Sequence, residues 1–268
     1  MPAIEPQRLS QETHRLLQQL GEPEDFVRAV LERLEFYADR TKRSGLVDEI
    51  AGRERSFNIR SPVLRSLRRE FTRAAGQRPA EALPAAQHLW DSGWREARIL
   101  AAAMLQATVK PAAAAQVERW AETTEDRQVL LELAGAGTAG LRRASPAGFL
   151  RAVRGWLKSG RERPRLIALL ALRAAVQDQD FLDLPGLFRS LHGAASAVRG
   201  ESRRALRALI EALAQRSPAE AASFLLQEFN PTWAPLVQQT LPAFPERQRS
   251  VLLERLSAYR RTGIMPAS

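Results

Sequence analysis

Helix start signals recur at short intervals along this chain, and between them the apolar residues repeat with helix period while no stretch alternates as a strand would. After residue 60 such starts are read at Ser61-Pro62, Pro79, Ser92, Pro111, Ser145-Pro146, Pro164, Ser217-Pro218 and Pro245. Ser before Pro is a strong signal, because the hydroxyl can cap a free amide while Pro fills a position whose N–H has no partner anyway. Before them, one helix is read over Ser10 to Leu20 with Gly21 as its stop. A second opens at Pro23, with Phe26, Val27, Val30, Leu31, Leu34 and Phe36 on its buried stripe. Arg40 to Phe57 reads as a connector with a short amphipathic piece at Leu46 to Ile50. Helix pairs of about 40 residues without a sheet predict an all-α, HEAT-like or armadillo-type helical repeat solenoid. The alternative from periodicity alone is an irregular helical bundle. Runs such as Ile99 to Leu105 and Leu166 to Leu172 are Ala/Leu-rich and belong to the interior, where small residues let helices approach closely.

A solenoid has no single central core to limit its length, so 268 residues are expected to form one domain. Its surface is basic, with 40 Lys and Arg against 30 Asp and Glu. Several of the basic residues form stripes at helical spacing: Arg65, Arg69 and Arg73 recur every four positions, as do Arg199, Arg203 and Arg207. Arg142 and Arg143, Arg151, Arg154 and Lys158, and Arg161, Arg163 and Arg165 continue the series. A single stripe is usually a solvated face, and Glu70, Glu201 and Glu211 partly offset these. Their recurrence in successive units instead predicts a continuous positive surface for an anionic partner, of which the nucleic-acid backbone is the commonest. Nothing resembles a base-reading helix, so binding is expected to follow backbone and shape.

Cysteine is absent, which excludes disulfides, thiolate nucleophiles and Cys-based metal sites. His14, His88 and His192 stand singly without ligand spacing, so no metal and no cofactor is expected. Gly135-x-Gly137-x-x-Gly140 lacks a preceding strand and reads as a flexible inter-repeat loop. No apolar run reaches the roughly 18 residues of a membrane span, and the N-terminus has no signal-like apolar segment. The expected setting is the cytoplasm or bacterial nucleoid, without membrane contact, and a monomer is expected.

The stretch Phe57-Asn58-Ile59-Arg60-Ser61-Pro62-Val63-Leu64-Arg65 resembles the opening "aromatic, G, I, R, T/S, P, x, x, R" of AlkD-like DNA alkylation repair proteins. It is followed in order by Leu89-Trp90-Asp91-Ser92-Gly93-Trp94-Arg95-Glu96-Ala97-Arg98, similar to that family's "LW-(D/E)-S-x-x-x-E-(A/V)-R" element. Trp156-Leu157-Lys158-Ser159 with Arg165, then Gln215-Arg216-Ser217-Pro218, fall where further family elements belong. Residues 57–230 thereby become the family-like repeats, 1–56 the N-terminal helices and connector, and 231–268 the C-terminal helices. The resemblance implies a C-shaped stack of HEAT-like pairs whose concave basic face grips duplex DNA. It also implies hydrolysis of the glycosidic bond of positively charged alkylated purines, with a carboxylate stabilising the oxocarbenium charge, a water, two lesion-contacting tryptophans and an arginine.

The chain departs from that pattern where the chemistry should lie. After Gln116 to Glu122, Arg127-Gln128 replace the family's Trp-Asp pair and Leu131 replaces the next acidic position. A slip of one or two residues brings in Asp126 or Glu125 as a substitute catalyst. Both residue types also mark helix N-termini, where acids complement the dipole. No aromatic lies within Arg203 to Leu213, where the second tryptophan belongs, and Ala208 takes its place. Arg165 matches the arginine, although a neighbouring family arginine is Leu166 here. Trp90, Trp94, Trp120 and Trp156 read as core, Asp91 as a cap or a partner of Arg95, and Glu96 and Arg98 as makers of buried ion pairs.

The expectation is thus a protein that binds duplex or distorted DNA through Arg65, Arg69, Arg73, Arg151, Arg154, Lys158, Arg165, Arg199, Arg203 and Arg207, with base excision weak or absent. Two alternatives stand beside it: an active glycosylase for N3- or N7-alkylated purines using Asp126 or Glu125, and a protein-interaction scaffold.

Overall fold

The computed structural model of the chain describes residues 6–39, 54–107, 112–194 and 198–262. Fourteen α-helices and no strands occur among them, so the fold is an all-α array of helical repeats. The Leu46 to Ile50 piece lies outside the described residues. Two compact units are present, Met1–Phe149 and Leu150–Ser268, and the division falls inside a helix.

In the first unit, α1 (Pro6–Leu17), α3 (Ser61–Gln77), α5 (Arg95–Leu105) and α7 (Arg127–Ala144) pack successively side by side. α2 (Pro23–Phe36), α4 (Pro79–Asp91) and α6 (Ala112–Ala121) form the other layer, with α4 on α5 and α6 on α7. α5 touches α3, α4 and α7, which explains why Ile99 to Leu105 are all buried: a helix covered on several sides needs an apolar surface nearly all round. Within this layer α4 and α6 are joined by Trp90 stacked on Trp120, ring centroids 4.4 Å apart.

In the second unit, α8 (Pro146–Lys158, of which 150 onward belongs here) leads to α9 (Glu162–Gln177) and α10 (Leu184–Leu191). α9 packs along α11 (Gly200–Arg216), and α12 (Pro218–Gln227), α13 (Ala234–Thr240) and α14 (Glu246–Thr262) close the array. Leu166 to Leu172 are buried throughout, as their composition predicts.

Several local readings need correcting. Gly135, Gly137 and Gly140 lie inside α7, not in a loop. At Gly137 an added Cβ would sit 3.2 Å from Leu133 Cδ1 and 3.5 Å from Val117 Cγ2, so this glycine lets α7 lie close against α6. At Ser61 and Ser217 the hydroxyl makes no capping bond, and Ser217 instead donates to Glu220 Oε2 at 2.7 Å. Ser145 does cap, accepting from Gly148 N at 3.2 Å. The helix read at Ser92 starts at Arg95, because Ser92 turns its hydroxyl back to Leu89 O.

Candidate nucleic-acid interface

The family-like sequence elements meet in one place. Glu96, only 1% exposed on the first turn of α5, accepts from Ser56 Oγ at 2.7 Å, Phe57 N at 3.0 Å and Ile59 N at 3.4 Å. It thereby fastens the extended lead-in to α3 against α5. Asn58 carries φ of 53°, the left-handed region that glycine enters freely and asparagine more readily than most. That accounts for Asn where the related pattern has Gly. Phe57 stacks on Trp94 with centroids 3.9 Å apart, and the Arg55 guanidinium lies 4.7 Å from the Trp94 ring centroid. Arg98 pairs with Glu54 and donates to Trp90 O and Thr123 O, tying the same segment to the end of α4 and the loop before α7. Asp91 neither caps nor pairs with Arg95: both its oxygens accept from Gln87 Nε2, one turn back on α4.

With the lead-in fixed, α3 presents its basic face. Pro62, Arg65, Arg68, Arg69, Thr72 and Arg73, with Gln106 at the end of α5, line a groove of about 660 Å³. Arg65, Arg69 and Arg73 are brought together as their spacing predicts, and Arg68 joins them. Arg68 had no place in an every-fourth reading, although three-residue spacing from Arg65 puts it on the same face. Arg73 pairs with Glu70 on α3. Among the described residues Arg65 and Arg69 have no carboxylate partner, so their charge is open to a ligand.

Arg68 reaches back to Glu132 of α7, whose side chain is 13% exposed. Burial raises the Glu132 carboxyl above the usual range, against the opposing pull of the Arg68 guanidinium. Glu132 is the residue after Leu131, the position where the related pattern has an acid. The sequence signal was a lone acid inside the apolar run Val129 to Ala134, and it went unread. Asp126 instead caps α7, its Oδ1 accepting from Gln128 N at 2.8 Å and Val129 N at 3.1 Å, with Oδ2 4.0 Å from Arg95. Glu125 is exposed on the loop before it.

The second unit gathers Arg154, Lys158 and Arg165 around a separate cavity of about 440 Å³, together with Arg189 and His192. Arg151, Arg199 and Arg207 are exposed, Arg203 is half-buried, and none of these four lines either opening. Arg207 pairs with Glu211 at 2.7 Å, and Arg163 with Glu201 at 3.8 Å. Arg142 is buried, donating to Thr138 Oγ1 at 3.1 Å, and so leaves the series of surface stripes. Trp90, Trp120 and Trp156 are buried as expected, and Trp94 is half-buried. No cluster of His, Cys, Asp and Glu suited to a metal occurs among the described residues, and no described helix is long and apolar enough to cross a membrane.

Paired layers of helices with an arginine-lined groove on one layer define a helical-repeat protein whose surface chemistry suits an anionic ligand. The model of one such family, described as DNA alkylation repair enzyme, matches residues 30–235, and the chain belongs to that family. Comparison with curated proteins and with solved structures finds no match.

Proposed function

We propose that this chain binds duplex or distorted DNA through the phosphate backbone, with the α3 groove as the principal contact, and excises bases weakly or not at all. The observation that carries this reading is the pair Arg65 and Arg69, solvent-facing and without carboxylate partners among the described residues, beside Arg68 and Arg73 in one groove. Two guanidiniums one turn apart offer forked donors to successive phosphate oxygens. Within the second unit, Arg154, Lys158 and Arg165 offer further cations to the backbone, and Arg151, Arg199, Arg203 and Arg207 add to that unit's positive charge. DNA is accordingly the partner, with neither metal nor cofactor required. The protein acts as a monomer in the compartment that holds the DNA.

Weak excision follows from what the two sequence candidates are doing. An Asp126 oxygen committed to two backbone amides of α7 is poorly placed to face a sugar, and Glu125 has no buried surroundings to tune it. One observation favours the second reading, an active alkylpurine glycosylase. Glu132 is a shielded carboxylate behind Arg68, and withdrawal of Arg68 toward a phosphate would leave it open to the groove.

A salt-titrated fluorescence binding curve, run beside a base-release assay on methylated duplex, tests both. Salt-sensitive binding without release is the expected result, and absence of such binding at moderate ionic strength overturns the proposal. Release of 7-methylguanine or 3-methyladenine that Glu132→Gln abolishes installs the enzyme reading with Glu132 as its carboxylate. Release that survives there and is lost in Asp126→Asn or Glu125→Gln returns the role to the loop.

A further inference from the structure

We propose that the second unit carries a distinct pocket for a terminal phosphoryl group, a phosphate monoester, formed by α8, the first turn of α9 and the end of α10. This deepens the DNA-binding reading and rests on it only for the source of the phosphate. Arg154 and Lys158 lie four residues apart on α8, Arg165 enters from α9, and Arg189 from the last turn of α10. Four cations therefore line a cavity of about 440 Å³.

The neighbouring groups leave the charge of Arg154, Lys158 and Arg189 in place. Among the described residues no carboxylate pairs with Arg154, Lys158 or Arg189. Arg154 is steadied by a hydroxyl instead, with Nη1 3.5 Å from Ser190 Oγ, while the Ser190 hydroxyl donates to Gly186 O at 2.8 Å. Glu228, which binds two of the lining residues, has one oxygen 2.6 Å from His192 Nδ1 and the other accepting from Gly193 N at 2.9 Å. The helix dipole helps the pocket tolerate its cations, since Lys158 and Arg189 each occupy the last turn of their helices, where the dipole is negative. It offers no such help to Arg154, in the middle of α8, or to Arg165, in the first turn of α9.

Size and charge select the ligand. A cavity of this volume lies within the small-molecule range, and a duplex can pass over it but not into it. A monoester carries about −1.5 to −2 charges at neutral pH and three strong acceptor oxygens, against one charge for an internucleotide diester. Convergent guanidiniums and an ammonium match the first better than the second. Two sources can present that group: the phosphorylated end of a DNA strand at a nick or gap, or a free nucleotide.

The test uses the full chain and a closed hairpin duplex in three forms: intact, nicked with a 5′-phosphate, and nicked with a 5′-hydroxyl. Anisotropy is expected to show the phosphorylated nick bound about tenfold tighter than the hydroxyl nick. That ratio should collapse to about one in Arg189→Gln or in the presence of millimolar inorganic phosphate. Arg69→Gln, in the α3 groove, should weaken all three forms and leave the ratio standing. A ratio of one in the wild type, with titration of a nucleoside 5′-monophosphate still giving saturable binding that Arg189→Gln removes, keeps the pocket and assigns it to a free nucleotide. A ratio of one with no binding of monophosphate or inorganic phosphate overturns it. Failure of every hairpin to bind while the monophosphate binds defeats the DNA reading and leaves the pocket standing.

Discussion

Arg216 shows how much a single side chain can settle in a helical array. From the end of α11 its guanidinium donates to Val176 O at 2.7 Å, Asp178 O at 2.5 Å and Phe181 O at 2.6 Å, and it also reaches Ala175 O and Gln179 O. It thereby satisfies carbonyls at the end of α9 that the helix itself leaves open, with a cation at the negative end of the dipole. Arg216→Ala should lower stability by about 2–3 kcal/mol in urea denaturation, and Arg216→Lys should recover little of it because an ammonium lacks the fork. Glu96 plays the corresponding part in the first unit. Glu96→Ala leaves the donors of Ser56, Phe57 and Ile59 without their acceptor, and a loss of about 3 kcal/mol is expected. Glu132 gives a prediction in pH. Its folded value is raised, so the stability it contributes is complete below the unfolded value and is lost as pH rises through the folded one. The stability of Glu132→Gln relative to wild type should therefore improve as pH is raised across that interval, and parallel melts at several pH values read the difference. These roles were only partly legible in the sequence. Glu96 and Arg98 read as ion-pair makers because charges in an apolar stretch need partners. Glu132 carried the same signal inside the run Val129 to Ala134 but not the identity of its partner Arg68, and Arg216 gave none, because its acceptors are backbone carbonyls some 35 to 40 residues away.

At the level of elements, α7 carries the sharpest contrast. Gly135 has nothing within 4 Å of an added Cβ, while at Gly137 the same atom meets Leu133 and Val117. Gly135→Ala should raise stability by about 0.5–1 kcal/mol through helix propensity alone. Gly137→Leu should lower it by about 1–3 kcal/mol by forcing α7 away from α6. Opposite shifts in melting temperature for two glycines two residues apart would establish the close approach. The sequence read these glycines as a loop because glycine is the commonest local breaker, and propensity is blind to a partner helix that needs the space. It placed most helices correctly, since apolar period and Pro at the first turn are local properties. It erred on the caps at Ser61 and Ser217, where a hydroxyl has two possible partners and only the built turn selects one.

Across the molecule, the positive charge is sorted by pairing. Arg73, Arg163 and Arg207 are matched by Glu70, Glu201 and Glu211, whereas Arg65 and Arg69 have no carboxylate partner among the described residues. Removing both unmatched arginines as Arg65→Ala with Arg69→Ala should lower the slope of log affinity against log salt by about 2, at about 0.9 per phosphate contact on duplex DNA. Arg207→Ala should change it little, and binding curves at several salt concentrations separate the two cases.

The sequence alone determined that this chain is an all-α repeat protein with a basic surface and family-like elements in order, because helix period, start signals and net charge are properties of the chain itself. Tertiary structure decided which charges are paired, buried or left open at the surface. Arg68, Arg189 and Glu132 entered the candidate sites, Asp126 became a helix cap and Arg142 a buried side chain, because burial and ion pairing depend on residues many positions away.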